Sequence, residues 1–273
     1  MMTQWVKQGW FSAIRQFSII LLLFIYQLLW GLVLYRFIES IVYPLLRRYP
    51  GDALETSSLH LFFAESQFQL TKTGISYSYI AILGALLLIR LIASPLIQAG
   101  LFHCIHLADV RDKRKFLHGV KRWGLFFIGM YWLQLFLTLL PAYWILPHAL
   151  VIYDSQPSLT PMLMHFSPWL AGWILYAFVL HLIFLSIGIG KVSGGKLLHS
   201  LKVSFRHLMP MALAALLLLS IAGGIYAVTT AVSLVWAGLL ALIMHQMYHL
   251  VRTLLKVWGV ATQYHLWHAK SGL

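Results

Sequence analysis

Residues 116–123, FLHGVKRW, and residues 197–204, LLHSLKVS, repeat one order of side chains. Each stretch has two bulky apolar residues, a histidine, a small residue, an apolar residue and a lysine. On a helix, the apolar positions of each copy share one face, and the basic positions lie towards the other. Such a helix lies in a membrane interface with its apolar face in the acyl region. Because each copy runs into a long apolar segment, the pattern predicts an interfacial helix followed by a membrane span.

A fainter third copy opens the chain, in WVKQGWFSAIRQF at residues 5–17. Val6, Trp10, Ile14 and Phe17 are spaced for one helical face, and an apolar segment follows. We interpret the three copies as three repeats, each with an interfacial helix, a span outward, a turn and a span back. The alternative is coincidence, because a basic amphipathic helix often precedes a membrane span.

The composition predicts an all-α, polytopic membrane helix bundle. Apolar residues make up 60% of the 273-residue chain and charged residues 10%, whereas soluble domains have about 25% charged residues. Runs long enough to cross a hydrocarbon core of about 30 Å recur along the chain. We predict a single transmembrane domain over residues 1–273. Its six predicted spans are residues 17–37, 77–96, 125–146, 168–189, 208–229 and 232–251.

The basic residues predict the orientation of these spans. Of the 20 Lys and Arg residues, 15 lie on one side of the spans, four lie on the other side, and Arg90 lies within the second span. Positive-inside sorting therefore places both termini in the cytoplasm, in a multi-pass protein of the cell membrane. The net charge of +13 would also suit nucleic acid. It is divided among membrane-adjacent segments, where anionic headgroups attract it, so we predict no nucleic-acid partner.

The first repeat carries an insertion at residues 38–76, predicted to be extracellular. IESIVYPLLRRYP and SSLHLFFAESQFQL, within this insertion, both have helical spacing with an apolar face. We expect helices that cover the outer surface of the bundle. Docking of a partner protein is the alternative.

The returning span of each predicted repeat carries an ionisable residue in its cytoplasmic half: Arg90 in the second span, His181 in the fourth, and His245, with His249, in the sixth. If the three returning helices converge, these side chains form a basic, partly desolvated pocket that is open to the inner leaflet. Such a pocket suits an anionic lipid headgroup. The alternative for Arg90 is that its side chain reaches the inner interface. His245 and His249 share a face as a metal pair would, but no carboxylate lies within the predicted spans. We therefore predict no metal site.

No catalytic motif is found in the sequence. The run SIGIGKVSGGK lacks the spacing of a phosphate-binding loop, and its glycines are predicted to end the fourth span. The single cysteine, Cys104, excludes an internal disulfide. No paired carboxylates or nucleophile–base arrangement lie in the spans. We predict no catalytic residue, no cofactor and no enzymatic activity.

The segments SPLIQAGLFHCIHLADVRDKRKFLHGVKRWGLFFI and KLLHSLKVSFRHL carry a resemblance. They resemble uncharacterised bacterial six-helix integral membrane proteins. The same layout is similar to the membrane domain of membrane-bound glycerophosphodiester phosphodiesterases. No segment of this chain corresponds to their catalytic domain, so the resemblance implies a fold and no catalytic residue.

These observations favour a non-enzymatic membrane protein that binds anionic lipid, or a membrane protein partner, from the cytoplasmic side. The lipid bilayer itself is the partner predicted from composition. The alternative is a transporter or a permease-like subunit, which the repeats and Arg90 favour. The absence of an acidic residue within the predicted spans weighs against it.

Overall fold

The computed structural model describes residues 2–48, 75–108, 114–147, 159–235 and 239–271. These residues form eight long or intermediate α-helices, and residues 142–147 add a short helical segment. The eight helices are α1 (Met2–Arg15), α2 (Phe17–Arg48), α3 (Ile75–His106), α4 (Lys115–Leu139), α5 (Leu159–Val192), α6 (Leu197–Arg206), α7 (Leu208–Val235) and α8 (Leu239–Ser271).

Within the described residues, five helical segments are long and apolar enough to cross a membrane. They contain 24 to 33 residues, and about 20 suffice for a span. This confirms the predicted all-α, polytopic helix bundle. The five candidate spans are Phe17–Ser40, Tyr79–His106, Lys115–Pro147, Phe166–Val192 and Leu208–Ser233.

The sixth predicted span, residues 232–251, is not among these five and stays a prediction. It includes residues 236–238, which lie outside the described residues, and the side chains of 234–246 lie outside them too. The predicted turn at 229–232 is wrong, because α7 continues through it to Val235. No proline or glycine interrupts the end of this helix, where hydroxyls such as that of Ser233 donate to carbonyls one turn earlier.

The helices form two compact units. The first comprises Met1–Leu21 and Pro95–Leu273, and the second comprises Leu22–Ser94. The predicted single domain over 1–273 therefore stays a prediction. In the predicted insertion, residues 38–48 continue α2 without a break, and residues 49–74 lie outside the described residues.

The core of the first unit sits where α3, α5 and α8 end and α4 begins. We call this part of the unit the basic end, because most Lys and Arg residues flank it. It brings together large apolar side chains that are far apart in sequence. The buried residues of this cluster are Ala99, Phe102, Phe127, Ile189, Val192, Val203 and Trp267.

The stretch FLHGVKRW does not form a separate interfacial helix, so the prediction for this copy is wrong. It forms the first turns of α4, which runs unbroken from Lys115 to Leu139. These turns pack closely on the end of α3. A Cβ atom added at Gly119 would lie 3.0 Å from Cγ of His103, and one at Gly124 would lie 2.7 Å from a methyl of Leu96. This packing against α3 holds the segment in line with the rest of α4.

The other two copies do form separate short helices, as predicted. One residue outside the helix, Gln16, separates α1 from α2, and His207 separates α6 from α7. Both short helices bury a face of small or polar residues against the first unit. Small side chains allow helix axes to approach closely. The buried residues are Gly9 and Ala13 on α1, Gln16 directly after it, and Ser200, Val203 and Ser204 on α6.

Part of each bulky apolar face predicted from the sequence points away from this packing, although Trp10 of α1 contacts Trp258 of α8, with ring centroids 4.9 Å apart. Ile14 and Phe17 are 46% and 54% exposed, and Leu198 and Phe205 are 81% and 61% exposed. In a protein whose helices cross a bilayer, such side chains contact lipid at low cost. Whether the three copies are true repeats stays a prediction.

The glycine-rich run after the fourth span ends α5, as predicted. Gly194 has a φ of +81°, which residues with a side chain rarely adopt. The N–H of Gly195 donates to the carbonyl of Gly190 at 2.9 Å. Gly188 and Gly190 lie inside α5 instead. A Cβ atom added at Gly190 would lie 2.6 Å from Cβ of Ser200, so this glycine allows α6 to fold back onto α5.

Candidate functional site

A cavity of about 220 Å³ lies within the first compact unit, between α3, α4, α5, α7 and α8. Typical small-molecule pockets measure about 300–1,000 Å³, and an apolar cavity of about 150 Å³ holds benzene. The cavity therefore admits part of an acyl chain or a small headgroup. Most of its lining is apolar. The polar residues that line it are Gln98, Gln134, His181, Lys256 and Gln263.

Helical spacing explains how α5 and α8 present these polar side chains. On α5, Phe178 and Leu185 line the cavity one turn to either side of His181. On α8, Lys256 and Gln263 are seven residues apart. Residues three, four and seven apart share a helical face, so both helices turn a mixed apolar and polar face to the cavity.

Two glutamine side chains make hydrogen bonds at the cavity wall. The Nε2 atom of Gln134 donates to Nδ1 of His181 at 3.2 Å, which leaves Nε2 of the neutral imidazole ring as a donor. Nε2 of Gln263 donates to the carbonyl of Met211 on α7 at 2.8 Å. The Oε1 atom of Gln263 is buried and has no hydrogen-bond partner among the described residues. The wall is thus polar at defined points.

The charge of the cavity is positive. Lys256 lines it, together with His181, and both side chains are exposed. None of the described residues that line it is acidic. Of the seven acidic residues in the sequence, only Glu39 falls within the described ranges, and it pairs with Arg36 on α2 at 3.2 Å. The described lining of the cavity therefore contains a basic residue and no carboxylate.

The structure gives a different result for each of the three residues that were predicted to form one pocket. His181 lines the cavity of the first unit. Arg90 belongs to the second unit, where it is exposed and its Cζ lies 5.7 Å from the ring centroid of Trp30. His245 lies on α8, but its side chain lies outside the described residues. The pocket formed by all three stays a prediction.

Sequence reasoning missed Lys256 and the three glutamines as candidate site residues. Lys256 was assigned with Arg252 to the positive-inside pattern. The missed signal is the spacing of the polar residues in the final helix. His249, Arg252, Lys256 and Gln263 follow one another at intervals of three, four and seven, which places them on one face. No comparable pattern in the sequence identifies Gln98 and Gln134.

A second polar cluster holds α1 and α3 against α8 at the basic end. Oγ of Ser12 lies 2.8 Å from Nε2 of His265, and Nδ1 of His106 lies 3.0 Å from the hydroxyl oxygen of Tyr264. Burial lowers the pKa of His265, and the charge of His268 lowers that pKa further. Burial also raises the pKa of Tyr264, which a hydrogen bond with Ser193 opposes. Both shifts favour neutral side chains, which suits a structural role.

Among the described residues, no group of three or more His, Cys, Asp or Glu side chains is placed to hold a metal ion. The pair of His245 and His249 is not included in this statement, because the side chain of His245 lies outside the described residues.

Comparison of the chain with protein-family models, with curated proteins and with solved structures finds no match. The resemblance to bacterial six-helix membrane proteins therefore stays a prediction. The structure establishes that the described residues are all helical and contain five candidate membrane spans.

Proposed function

We propose that this protein is a non-enzymatic, multi-pass protein of the plasma membrane that binds an anionic lipid headgroup. The binding site is the cavity of the first unit, entered from the cytoplasmic side, and both termini lie in the cytoplasm. One observation carries the proposal. A cavity with mostly apolar walls is also lined by the exposed residues Lys256 and His181, and no acidic residue is found among the described residues that line it.

The energetic argument concerns Lys256. Lys256 lies beyond the predicted sixth span on the side of the basic residues, where basic side chains attract anionic headgroups. Side chains on a helix lean towards its N-terminus, so Lys256 leans away from the basic end and towards the interior of the bundle. An anionic headgroup that enters the cavity would accept a hydrogen bond from the ammonium group of Lys256. A hydrogen bond to a charged group contributes about 1.5–3 kcal/mol.

The short helices α1 and α6 support the proposal that the basic end lies beside anionic lipid. Lys7 and Arg15 flank the exposed apolar residues of α1, and Lys202 and Arg206 flank those of α6. Each basic residue near an anionic surface contributes about 1 kcal/mol of attraction. The basic end would therefore concentrate anionic lipids beside the cavity.

Substitution of Lys256 tests the proposal. Lys256→Gln is expected to weaken the binding of phosphatidylglycerol about tenfold, since it removes one charge-assisted contact. Native mass spectrometry of the full chain, titrated with phosphatidylglycerol or phosphatidylcholine, measures this binding. Lys202→Gln is the matched control, because Lys202 is an exposed lysine on α6 that does not line the cavity. It should weaken binding less than Lys256→Gln does, because it removes only the general attraction of a basic residue for an anionic surface.

Two outcomes would contradict lipid binding at the cavity. One is equal affinity of the wild-type protein for phosphatidylglycerol and phosphatidylcholine. The other is an equal loss of affinity in Lys256→Gln and Lys202→Gln, which would indicate attraction to the basic surface as a whole rather than a site.

The proposed orientation has its own test, by cysteine labelling. Cys104 is buried and is first replaced by alanine. Lys196→Cys is then expected to react with an impermeant maleimide only after the cells are permeabilised. Tyr143→Cys, an 82% exposed position beyond α4, should react in intact cells. The reverse labelling pattern would show that the basic end faces outwards.

A further inference from the structure

We propose that Arg122 and Lys191 bind the phosphate of an anionic phospholipid at a second site, on α4 and α5 at the basic end. Neither residue lines the cavity, so this inference does not depend on the cavity site. It assigns to the indole ring of Trp123 the role of holding the two cations in place.

Two cations from different helices meet at one indole ring. Cζ of Arg122, on α4, lies 5.2 Å from the ring centroid of Trp123, and Nζ of Lys191, on α5, lies 5.9 Å from the same centroid. Nζ of Lys191 also lies 5.6 Å from the ring centroid of Phe126. Trp123 and Phe126 are three residues apart, so they lie on one face of α4. This aromatic face therefore gathers a guanidinium and an ammonium group in one place.

The contacts with the rings leave the two cations able to bind an anion. A cation is attracted to the face of an aromatic ring by the charge distribution of the ring. A guanidinium group has five N–H donors and an ammonium group has three, and a ring can face only some of them. Both groups can therefore donate hydrogen bonds to a phosphate while they remain on the ring.

The site lies at the depth where α5 leaves the membrane. Lys191 directly precedes Val192, the last residue of α5 and of its candidate span. Because Trp123 contacts Lys191, the first turns of α4 reach the same depth. Tryptophan is enriched at the membrane–water interface, and basic pockets between membrane helices bind anionic headgroups there.

The chemistry of the pair suits a phospholipid with a net negative charge. The arginine fork can bind two phosphate oxygens at once, and the lysine acts as a point charge. Leu125, one turn after Arg122 on α4, is 87% exposed. Its side chain offers an apolar surface to the acyl chains of the same lipid. The two helices thus present one partner for the phosphate and another for the chains.

A double-mutant cycle tests whether the two cations share one ligand. Dissociation constants of dioleoyl phosphatidylglycerol are measured by native mass spectrometry of the full chain, in a Lys256→Gln background that weakens the cavity site. Arg122→Gln and Lys191→Gln should each weaken binding about tenfold. Groups that hold one ligand are coupled, because a phosphate that has lost one cation is held less firmly by the other. The double variant should therefore lose less than the product of the two single losses.

Lys121→Gln is the matched control, because Lys121 is an exposed lysine beside Arg122 in the sequence. It removes only the general attraction of a basic residue for an anionic surface, so it should weaken binding less than Arg122→Gln does. Equal losses in these two variants would overturn the site. A double variant whose loss equals the product of the single losses would overturn it too, since the two cations would then act independently.

Trp123→Leu tests the role of the ring without a change of charge. In the same background it should weaken phosphatidylglycerol binding about fivefold, and Trp123→Phe, which keeps an aromatic face, should retain more of the affinity. The midpoint of thermal unfolding is measured alongside, because Trp123 packs against the core. Wild-type affinity in Trp123→Leu, or equal losses in the leucine and phenylalanine variants, would overturn the positioning role of the ring.

Inorganic phosphate distinguishes a lipid from a soluble anion as the occupant. It should not displace phosphatidylglycerol when the two are present at equal concentration, because it makes no contact with the apolar surface. Displacement would assign the site to a soluble anion and would overturn its assignment to a lipid.

The inference and the proposed function can fail separately. A loss of affinity in Lys256→Gln alone would support the cavity and remove the site at Trp123. A loss in Arg122→Gln and Lys191→Gln, with none in Lys256→Gln, would support the site at Trp123 and remove the cavity.

Discussion

Replacing Trp267 with alanine is expected to destabilise the first compact unit by about 3–5 kcal/mol, the usual cost of removing a fully buried tryptophan. The indole is fully buried in the core at the basic end, among Phe127, Ile189 and Val203. Its Nε1 atom has no hydrogen-bond partner among the described residues. The loss therefore comes from packing and from the cavity left behind.

Thermal unfolding in mild detergent measures this effect. At about 2–4 °C per kcal/mol for a domain of this size, the midpoint should fall by at least about 6 °C. Trp132→Ala is the matched control, because Trp132 on α4 is 42% exposed. It should cost less than about 1 kcal/mol. Equal shifts in the two variants would contradict a core concentrated at the basic end.

Replacing Gly9 with alanine is expected to loosen α1 from α8 and to cost about 1–3 kcal/mol, as overpacking does. A Cβ atom at Gly9 would lie 2.8 Å from both Cα and N of Thr262. Backbone atoms cannot rotate away, so the helices must separate. The same separation would strain the hydrogen bonds from Trp258 to the carbonyl of Val6 and between Ser12 and His265.

Hydrogen exchange of the α1 amides, with the midpoint of unfolding, reports this change. Gly129→Ala on α4 is the control, because a Cβ atom there meets no described atom within 4 Å. Alanine favours a helix over glycine by about 1 kcal/mol, so this variant should be neutral or stabilising. Faster exchange in α1 is expected only in Gly9→Ala. Unchanged exchange would show that α1 is not packed against α8.

The membrane spans were the most predictable part of the fold. Five of the six predicted spans coincide with long apolar helices, because transfer into lipid depends on the summed polarity of a local window. The short helices α1 and α6 were also predictable, since their alternation of basic and apolar residues is local. The sixth span and the three-residue pocket lie partly outside the described residues and stay predictions.

The contacts of these helices could not be predicted. The sequence indicated a bulky apolar face on α1, whereas the residues that the structure buries on this helix are Gly9 and Ala13 on the neighbouring face. FLHGVKRW has the pattern of an interfacial helix, yet Gly119 lets it pack along α3 as the start of α4. Which face of a helix is buried depends on the shape of the helix it packs against. The periodicity of its own sequence gives no information about that shape.

The sequence by itself determined that the chain is a helical membrane protein with its positive charge gathered beside the spans. Hydrophobicity and charge act residue by residue, so their sums can be read along the chain. Only the tertiary structure decided that His181, Gln134 and Lys256 line one cavity. These side chains come from three helices far apart in sequence. Their meeting depends on how closely the helix backbones approach, which is set by packing and not by composition.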